Sequence, residues 1–347
     1  MNKQERQSKI LETVRGNGVD VLSTRNLAEV FDVSEITIRR DLQDLASEGL
    51  IQRQHGGVST PQVQPATLTQ VGILLASRHG KFSHPFFNKL LEGADSKLQD
   101  LSLHAAFVKT FAEVDTPEAV EMLLKQHPIE GLMVFGGLNS ERVARWQTHV
   151  KHIVMATPQL PGFDCVVMDG YNGIQLMIDH LISLGYTRLG FIVGRSLSGQ
   201  LDDRLEGYLA GLAKHQLEAD PDLIFEMPHE LELFPSKIGQ QGAEQFMSST
   251  TPPEVIVCAS DMIALGVMQW LRDNNYRIPE DVAVTGFDDI SEARRTFPPL
   301  TTVKVYKKLM GSLVAELLKR RIDNPDDPTI TTMTPCSLIV RHSCGSN

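Results

Sequence analysis

Two adjacent guanidinium groups lie on a short amphipathic stretch near the start of the chain, between residues 34 and 46. Ile38, Leu42 and Leu45 recur there at helical spacing, which predicts one buried face. The opposite face is polar and can contact phosphate oxygens and base edges in a DNA major groove. Its residues are Ser34, Thr37, Arg39, Arg40 and Gln43. An ordinary solvated helix would show the same face, so the flanking elements decide between the two interpretations.

Two further helices are predicted ahead of this one. Periodic apolar residues indicate helices over residues 5–15 and 24–31, and a tight turn at residues 32–33 leads into the polar-faced helix. Ser34 is suited to cap that helix, because its hydroxyl can accept from a backbone N–H of the first turn. We expect Asp41 to pair locally with an arginine or to stabilise the first turns of the helix rather than to touch DNA.

A short strand with a Gly-Gly turn follows at residues 50–58 and predicts a β-wing. Arg53 and His55 lie on this wing, where they can reach a flanking phosphate or the minor groove. Residues 59–70 then contain two prolines, no charged residue and no periodicity, which predicts an extended linker.

From residue 71 onward, apolar strand-like runs alternate with helical stretches, which predicts an α/β fold with parallel sheets covered on both faces. Polar and aromatic side chains follow several of these strands, at the edge where open α/β sheets bind ligands. They are His84, Phe86, Phe87, Arg204, Ser260, Asp261 and Asp288. Carboxylates and a guanidinium group can pair with vicinal hydroxyls, and aromatic faces can pack on the C–H face of a sugar ring. An aspartate at a helix start is often only a cap, and Asp261 is open to that interpretation.

Composition and motifs exclude several classes of protein. The chain has 347 residues, a net charge of −10 and four cysteines without a Cys-x-x-Cys pair, so we expect reduced thiols, no metal site and no cofactor. No apolar run approaches the roughly 18–20 residues of a membrane helix, and the polar N-terminus lacks the core of a signal peptide. We therefore expect a cytoplasmic protein with no membrane partner. No dinucleotide or phosphate-binding loop, nucleophile–base pair or metal cluster emerges, so we do not expect an enzyme.

Five short motifs occur between residues 5 and 58. They are Lys9-Ile10-Leu11, Leu27-Ala28, Val33-Ser34-Glu35-Ile36-Thr37-Ile38-Arg39-Arg40-Asp41-Leu42, Gly49-Leu50 and His55-Gly56-Gly57. Together they resemble the winged helix-turn-helix of the DeoR family of bacterial regulators. The resemblance implies that residues 34–46 form a DNA recognition helix.

A second set of motifs runs from Val71 to Arg341. It comprises His84-Pro85-Phe86-Phe87, Gly131-Leu132-Met133, residues 180–186, Arg204-Leu205-Glu206-Gly207-Tyr208, residues 260–266, residues 278–289 and residues 298–303. Together they resemble the effector domain of lactose/galactose-repressor regulators, which is similar to periplasmic sugar-binding proteins. The resemblance implies two lobes joined by three crossovers, a ligand in the cleft between them and a homodimer. It also implies that Arg204 binds the ligand, that Asp288 binds a ligand hydroxyl and that Phe86 and Phe87 are aromatic residues of the cleft.

The chain departs from that second family in its site and in its architecture. Ser260 and His84 stand where relatives often have asparagine, and Val305 stands where some relatives place a polar ligand contact. The family also has a hinge helix behind its DNA-binding helices, whereas residues 59–70 form a proline-containing linker here. The identity of the ligand and the route of coupling to DNA therefore stay open, including the choice between a free and a phosphorylated sugar.

These observations predict three parts of the chain and one function. The parts are a winged helix-turn-helix at 1–58, a linker at 59–70 and a two-lobed effector domain at 71–347, with lobe 1 at about 71–168 and 303–328 and lobe 2 at about 169–300 and 331–343. The expected function is a sugar-responsive transcriptional regulator that represses carbohydrate-metabolism genes, with operator DNA and a sugar or sugar derivative as partners. The alternatives are a transcriptional activator and a sugar-binding protein of transport or sensing without a DNA output.

Overall fold

The computed structural model describes residues 2–16, 22–47, 50–54, 57–59, 68–77, 82, 84–137, 140–157, 161–193, 203–226 and 234–345. Contacts between Cα atoms divide the chain into two compact units, Met1–Leu68 and Thr69–Asn347. Most of the predicted linker lies outside the described residues, and the first strand of the second unit already begins at Thr69. In the described ranges, no helix is both long enough and apolar enough to cross a bilayer.

The first unit is a helix-turn-helix with a small antiparallel sheet. Its described elements are α1 (Lys3–Gly16), β1 (Leu22–Ser23), α2 (Thr24–Phe31), α3 (Glu35–Ser47), β2 (Gln52–Gln54) and β3 (Gly57–Ser59). Strand β3 pairs with both β1 and β2, so the wing has three strands rather than the two of a simple hairpin. The core consists of Ile10, Val14, Leu27, Ala28, Ile38, Leu42, Leu45, Ile51 and Val58. The predicted winged helix-turn-helix is confirmed.

The second unit contains two six-stranded sheets with helices packed on them, and it forms the two lobes. The elements of the first lobe up to its first exit are β4 (Thr69–Leu75), α4 (Pro85–Leu98), β5 (Leu103–Thr110), α5 (Pro117–Gln126), β6 (Gly131–Phe135), α6 (Ser140–Gln147), β7 (His152–Ala156) and β8 (Asp164–Met168). The elements that follow are α7 (Gly170–Ser183), β9 (Leu189–Val193), α8 (Asp203–Lys214), β10 (Ile224–Glu226), α9 (Pro235–Met247), β11 (Val255–Cys258), α10 (Asp261–Asp273), β12 (Ala283–Asp288), β13 (Thr301–Val305), α11 (Lys307–Asp323), β14 (Thr331–Thr334) and β15 (Cys336–Ile339).

The strands are parallel except at one edge. The first sheet has the order β14-β8-β7-β6-β4-β5, and the second has the order β10-β9-β11-β12-β13-β15. Only β15 runs antiparallel to its neighbour among the described pairs of these two sheets. Because the carboxyl ends of parallel strands lie at one edge, the loops that follow the parallel strands of each lobe lie on a single side. The predicted α/β fold with two lobes is confirmed.

The chain crosses between the lobes three times, and this corrects the predicted lobe boundaries. It crosses between β8 and α7, between β13 and α11, and between β14 and β15. Thr301–Val305 pairs with β12 in the second sheet, so the second lobe extends beyond residue 300 to 305. Thr331–Thr334 pairs with β8 in the first sheet, although we predicted it in the second lobe. Strand pattern alone cannot assign a sheet, because both sheets offer an apolar edge to the same kind of strand.

Helix α11 belongs to the first lobe and packs on α4 along its length. The contact is close, because a Cβ at Gly93 would collide with the main chain of Lys308 and a Cβ at Gly311 would collide with that of Leu90. The end of α11 is fixed by Arg321, whose Nε lies 2.7 Å from Oδ2 of the buried Asp164. The helix that follows the second crossover is thereby held rigidly in the first lobe.

Candidate DNA-binding face and effector cleft

Helix α3 starts with the predicted cap. The backbone N–H of Thr37 donates to Oγ of Ser34 at 3.2 Å, and the two hydroxyl oxygens lie 2.9 Å apart. This satisfies one of the donors that a helix leaves free at its N-terminus. Ser34 is exposed and Thr37 is half-buried, so both hydroxyls remain at the outer surface of the first turn.

The remaining predicted contacts on α3 lie on its exposed side. Arg39, Arg40 and Gln43 are all exposed, and Nη2 of Arg39 lies 3.4 Å from a carboxylate oxygen of Glu35. An exposed ion pair of this length contributes little to stability, so a phosphate can replace Glu35 at low cost. Ile36 is also exposed on this helix, and the sequence prediction did not include it.

Asp41 holds α3 against α1. Its Oδ2 accepts from Nε of Arg6 at 2.5 Å, and the two side chains are 2% and 11% exposed. Because Asp41 is buried on the inner side of α3, it does not belong to the candidate DNA-binding face. Asp41 thus pairs with an arginine, but the predicted local pairing is wrong, because the arginine is 35 residues away on another helix.

The wing places only one of its two predicted residues in the described structure. Arg53 lies in β2, opposite Val58 of β3, and His55 lies outside the described residues. Val58 is fully buried in the core of the unit, so the strand that carries Arg53 is tied to the helices.

The first lobe contributes three neighbouring rings at the start of α4. The ring centroids of His84 and Phe87 are 5.0 Å apart, and those of Phe86 and Phe87 are 5.8 Å apart. Phe86 and Phe87 are buried, and within the described residues Nδ1 of His84 has no hydrogen-bond partner. Burial lowers the pKa of the His84 imidazole, and the Glu292 carboxylate of the second lobe opposes this shift only in part.

The second lobe contributes a guanidinium group held at the ends of its strands. Nη1 of Arg204 donates to the carbonyl oxygen of Ala259 at 2.7 Å, and its Cζ lies 5.6 Å from the ring centroid of Phe287. Beside it, an oxygen of Asp203 accepts from the backbone N–H of Gly170 at 3.1 Å. The two Arg204 contacts orient its guanidinium group, and the Asp203 contact ties the start of α8 to the first crossover.

The structure gives Asp261 a different role from the predicted ligand contact. Its Oδ1 accepts from the hydroxyl of Thr302 at 2.5 Å, and its Oδ2 accepts from the backbone N–H of Ile290 at 2.8 Å. The residue has no exposed surface, and burial together with the nearby Asp288 raises its pKa well above the usual value. Both oxygens are thus used to hold the loop after β12. Ser260 caps α10, since its Oγ accepts from the backbone N–H of Ile263 at 3.3 Å.

Asp288 ends β12 and is almost completely buried at the edge of the second sheet. Asp288 and Asp289 have φ values of 117° and 52°, a region that residues other than glycine rarely adopt. Asp289 forms ion pairs with Arg341 at 2.5 Å and with Arg294 at 3.1 Å. Burial alone would raise the pKa of Asp289, and these two guanidinium groups outweigh it and lower the pKa.

Lys307 is a buried residue at this site that the sequence prediction missed. Its Nζ donates to the carbonyl oxygen of Asp288 and lies 3.3 Å from that of Val305 and 3.4 Å from that of Asp289. It also lies 5.9 Å from the ring centroid of Phe86 in the first lobe. One sequence signal was available, because a lysine in the first turn of a helix opposes the helix dipole and needs another reason to be there.

The predicted ligand residues thus fall into two groups. His84, Phe86 and Phe87 belong to the first lobe, whereas Arg204, Ser260 and Asp288 belong to the second. Lys307 lies at the second crossover and contacts a member of each group.

Two family models match the chain. A DeoR-like helix-turn-helix domain matches residues 6–64, and a periplasmic binding protein-like domain matches residues 178–344. The second match covers most of the second lobe together with α11, and the first covers the winged unit from within α1 onward.

Known proteins with similar sequences are transcription regulators by name. The chain is 25% identical to the HTH-type transcriptional regulator GalR of Escherichia coli strain K12 over 343 residues, which cover 96% of this chain and 95% of GalR. It is 25% identical to the ribose operon repressor of Haemophilus influenzae over 281 residues, or 79% of this chain and 80% of that repressor. The solved structure of a transcriptional regulator CelR–cellobiose complex shares the fold, with a TM-score of 0.70 and 22% identity, and covers 90% of this chain and 91% of that one.

Proposed function

We propose that this chain is a cytoplasmic transcriptional regulator that represses carbohydrate-metabolism genes and responds to a sugar or sugar derivative. The observation that carries the proposal is the combination of two units in one chain. The first unit is a winged helix-turn-helix whose capped helix α3 carries an exposed Arg39-Arg40 pair. The second unit, which follows it, has two lobes. GalR, which matches 96% of this chain, is named a transcriptional regulator, and a second relative, which matches 79%, is named a ribose operon repressor.

On the DNA side, we assign α3 to the major groove. Arg39, Arg40 and Gln43 provide donors for phosphates and base edges. Ser34 and Thr37 lie at the N-terminal end of the helix, which would enter the groove first. We assign Arg53 and His55 of the wing to the flanking backbone or the minor groove. A homodimer would place two such units on a pseudo-palindromic operator.

On the effector side, we assign the ligand to the cleft between the lobes. Arg204 and Asp288 would pair with neighbouring hydroxyls, as fixed charged groups do with polyols. Phe86 and Phe87 would supply apolar surface for a sugar ring, with His84 and Ser260 as further hydrogen-bonding groups. Ligand binding would stabilise one arrangement of the lobes, and the response requires that this arrangement differ in its affinity for DNA.

The proposal also divides the chain into three segments. We assign residues 1–58 to DNA binding, residues 59–70 to a linker and residues 71–347 to effector binding. The linker would transmit the state of the cleft without a hinge helix, because two prolines and the absence of apolar periodicity disfavour a helix there.

A two-stage experiment tests the proposal. A thermal-shift screen with sugars and sugar phosphates identifies a ligand, because a compound that binds the folded chain raises its Tm. DNA sites are selected from a random duplex pool, and their Kd is measured with and without that compound. We expect Arg204→Ala to keep DNA binding and to lose the ligand response, while Arg272→Ala, an exposed arginine of the same lobe, keeps both.

The possible results separate the alternatives. A ligand that strengthens DNA binding indicates an activator or a co-repressed regulator, and a ligand that weakens it indicates an induced repressor. Ligand binding without any selected DNA site would favour the sugar-binding protein of transport or sensing.

A further inference from the structure

Ile36 is an apolar side chain exposed on an otherwise polar surface. It stands in the first turn of α3 and is 67% exposed, whereas Ile38 two residues later is completely buried. It is not part of the core of the winged unit and is not among the partly buried side chains packed on that core. The fold therefore gains almost nothing from an isoleucine at this position.

The position of Ile36 on the helix is informative. Residues three, four and seven positions further along a helix lie on the same side, and here they are Arg39, Arg40 and Gln43. The side of α3 that we assign to DNA thus begins with an aliphatic group and continues with two guanidinium groups and an amide. A polyanionic partner would match this side of α3 if it placed an isolated methyl group against the first turn of the helix.

The hydroxyls beside Ile36 are already engaged. Ser34 and Thr37 are hydrogen-bonded to each other, and Ser34 also accepts from the backbone of Thr37. They cap the start of the helix, and Ile36 is the exposed apolar side chain of that turn.

We propose that Ile36 contacts the C5 methyl group of a thymine in the major groove, so that each half-site carries an A·T pair at that position. This inference rests on the proposed function and names one base that the recognition helix reads. Among the four standard bases, only thymine presents a methyl group in the major groove. The first turn of a recognition helix is also the part that reaches base edges.

A single exposed isoleucine also occurs on ordinary protein surfaces, so the experiment needs a control of the same kind. Val30 serves this purpose. It is 68% exposed, it is β-branched like Ile36, and it lies on α2 rather than α3. Truncation of either side chain to alanine leaves the described core intact.

The test uses the full-length chain and a duplex selected from a random pool. Each thymine of the duplex is replaced in turn by uracil, which removes only the methyl group, and Kd is measured by fluorescence anisotropy. For the unmodified chain we expect one position per half-site at which uracil weakens binding about fourfold, the effect of losing one buried methylene-sized group. Ile36→Ala should be insensitive to uracil at that position, and Val30→Ala should behave like the unmodified chain.

The outcomes are distinguishable. If the chain selects a DNA site and Ile36→Ala keeps the full pattern of uracil sensitivity, the inference about Ile36 is wrong and the proposed function stands. If Val30→Ala loses the same sensitivity as Ile36→Ala, the effect is not specific to the first turn of α3 and the inference is again wrong. If the chain selects no DNA site at all, both the proposed function and the inference fail.

Discussion

The ammonium group of Lys307 donates to the main-chain carbonyl of Asp288 at the point where the chain passes from the second lobe to the first. The same ammonium lies within 3.4 Å of the carbonyl oxygen of Asp289. It therefore holds two consecutive residues in a backbone conformation that side chains disfavour. Burial lowers the pKa of Lys307, and Asp288 is the foremost of the three carboxyl groups that oppose this shift. The backbone at Asp288 is thus held by a lysine that belongs to the helix of the other lobe.

Replacement of this lysine is the first prediction. Lys307→Met keeps an unbranched, slightly shorter side chain and removes the buried donor to the carbonyl oxygen of Asp288, so we expect a loss of about 2 kcal/mol in the free energy of unfolding. It should also weaken binding of any sugar found in the screen, since Asp288 would lose its fixed position. Urea denaturation and calorimetry measure the two effects.

Lys308 provides the matched control for this experiment. It is the next residue, and it pairs with Glu92 while its side chain is 60% exposed. An exposed pair of this kind is worth about 0–1 kcal/mol, so Lys308→Met should change stability little and leave sugar affinity unchanged. Equal effects of the two substitutions would contradict the role assigned to Lys307.

The second prediction concerns the buried ion pair of the winged unit. Asp41→Ala leaves the guanidinium group of Arg6 buried without its carboxylate, which costs about 3 kcal/mol in other proteins. We expect faster hydrogen exchange of the amides in α1 and α3, a loss of DNA binding, and unchanged sugar binding by the second unit. Asp44→Ala removes an exposed partner of Lys3 and should have little effect on hydrogen exchange, DNA binding or sugar binding. Slow exchange retained in Asp41→Ala would show that the pair does not hold α3.

The third prediction is a pH dependence of stability that comes from His84. Burial lowers the pKa of this imidazole from its usual 6.5, with the Glu292 carboxylate opposing in part. Below about pH 6.5 the unfolded chain takes up a proton that the folded chain resists, so this residue makes the protein less stable as the pH falls from 7 towards 5. His84→Asn cannot take up this proton. Its free energy of unfolding should therefore rise relative to that of the unmodified chain as the pH falls from 7 to 5.

Other histidines do not disturb the comparison. Burial also lowers the pKa values of His152 and His180, and both residues are present in the two proteins. Their contributions cancel when urea denaturation of the two proteins is compared at each pH. A difference that stays constant between pH 7 and pH 5 would mean that folding does not lower the pKa of His84.

Local patterns in the sequence were enough to predict the winged unit. The helical spacing of Ile38, Leu42 and Leu45 specifies the buried side of α3, and all three lie in the core. Periodicity could not predict that Asp41 pairs with Arg6, because the two residues are 35 positions apart and meet only after α1 packs on α3.

The same limit explains the differences in the second unit. The alternation of strands and helices predicts parallel sheets, and it does not specify which sheet receives Thr301–Val305 or Thr331–Thr334. The burial of Asp261 could not be predicted from the sequence either, since it follows from Thr302 and Ile290 folding back over the start of α10. Residues that act through long-range contacts had to be found in the structure.

The fourth prediction concerns the electrostatic part of DNA binding and Arg39. This guanidinium group is exposed and its pair with Glu35 is long, so it is available to a phosphate. If Arg39 contacts a phosphate, Arg39→Ala should weaken binding to all DNA sequences about equally and reduce the slope of log Kobs against log salt by about 1. If Arg39 instead reads a guanine edge, the same substitution should relax the preference at one base pair. Anisotropy titrations at several salt concentrations, with the selected site and with unrelated DNA, distinguish the two results. An unchanged Kd and an unchanged salt slope would remove Arg39 from the DNA-binding face.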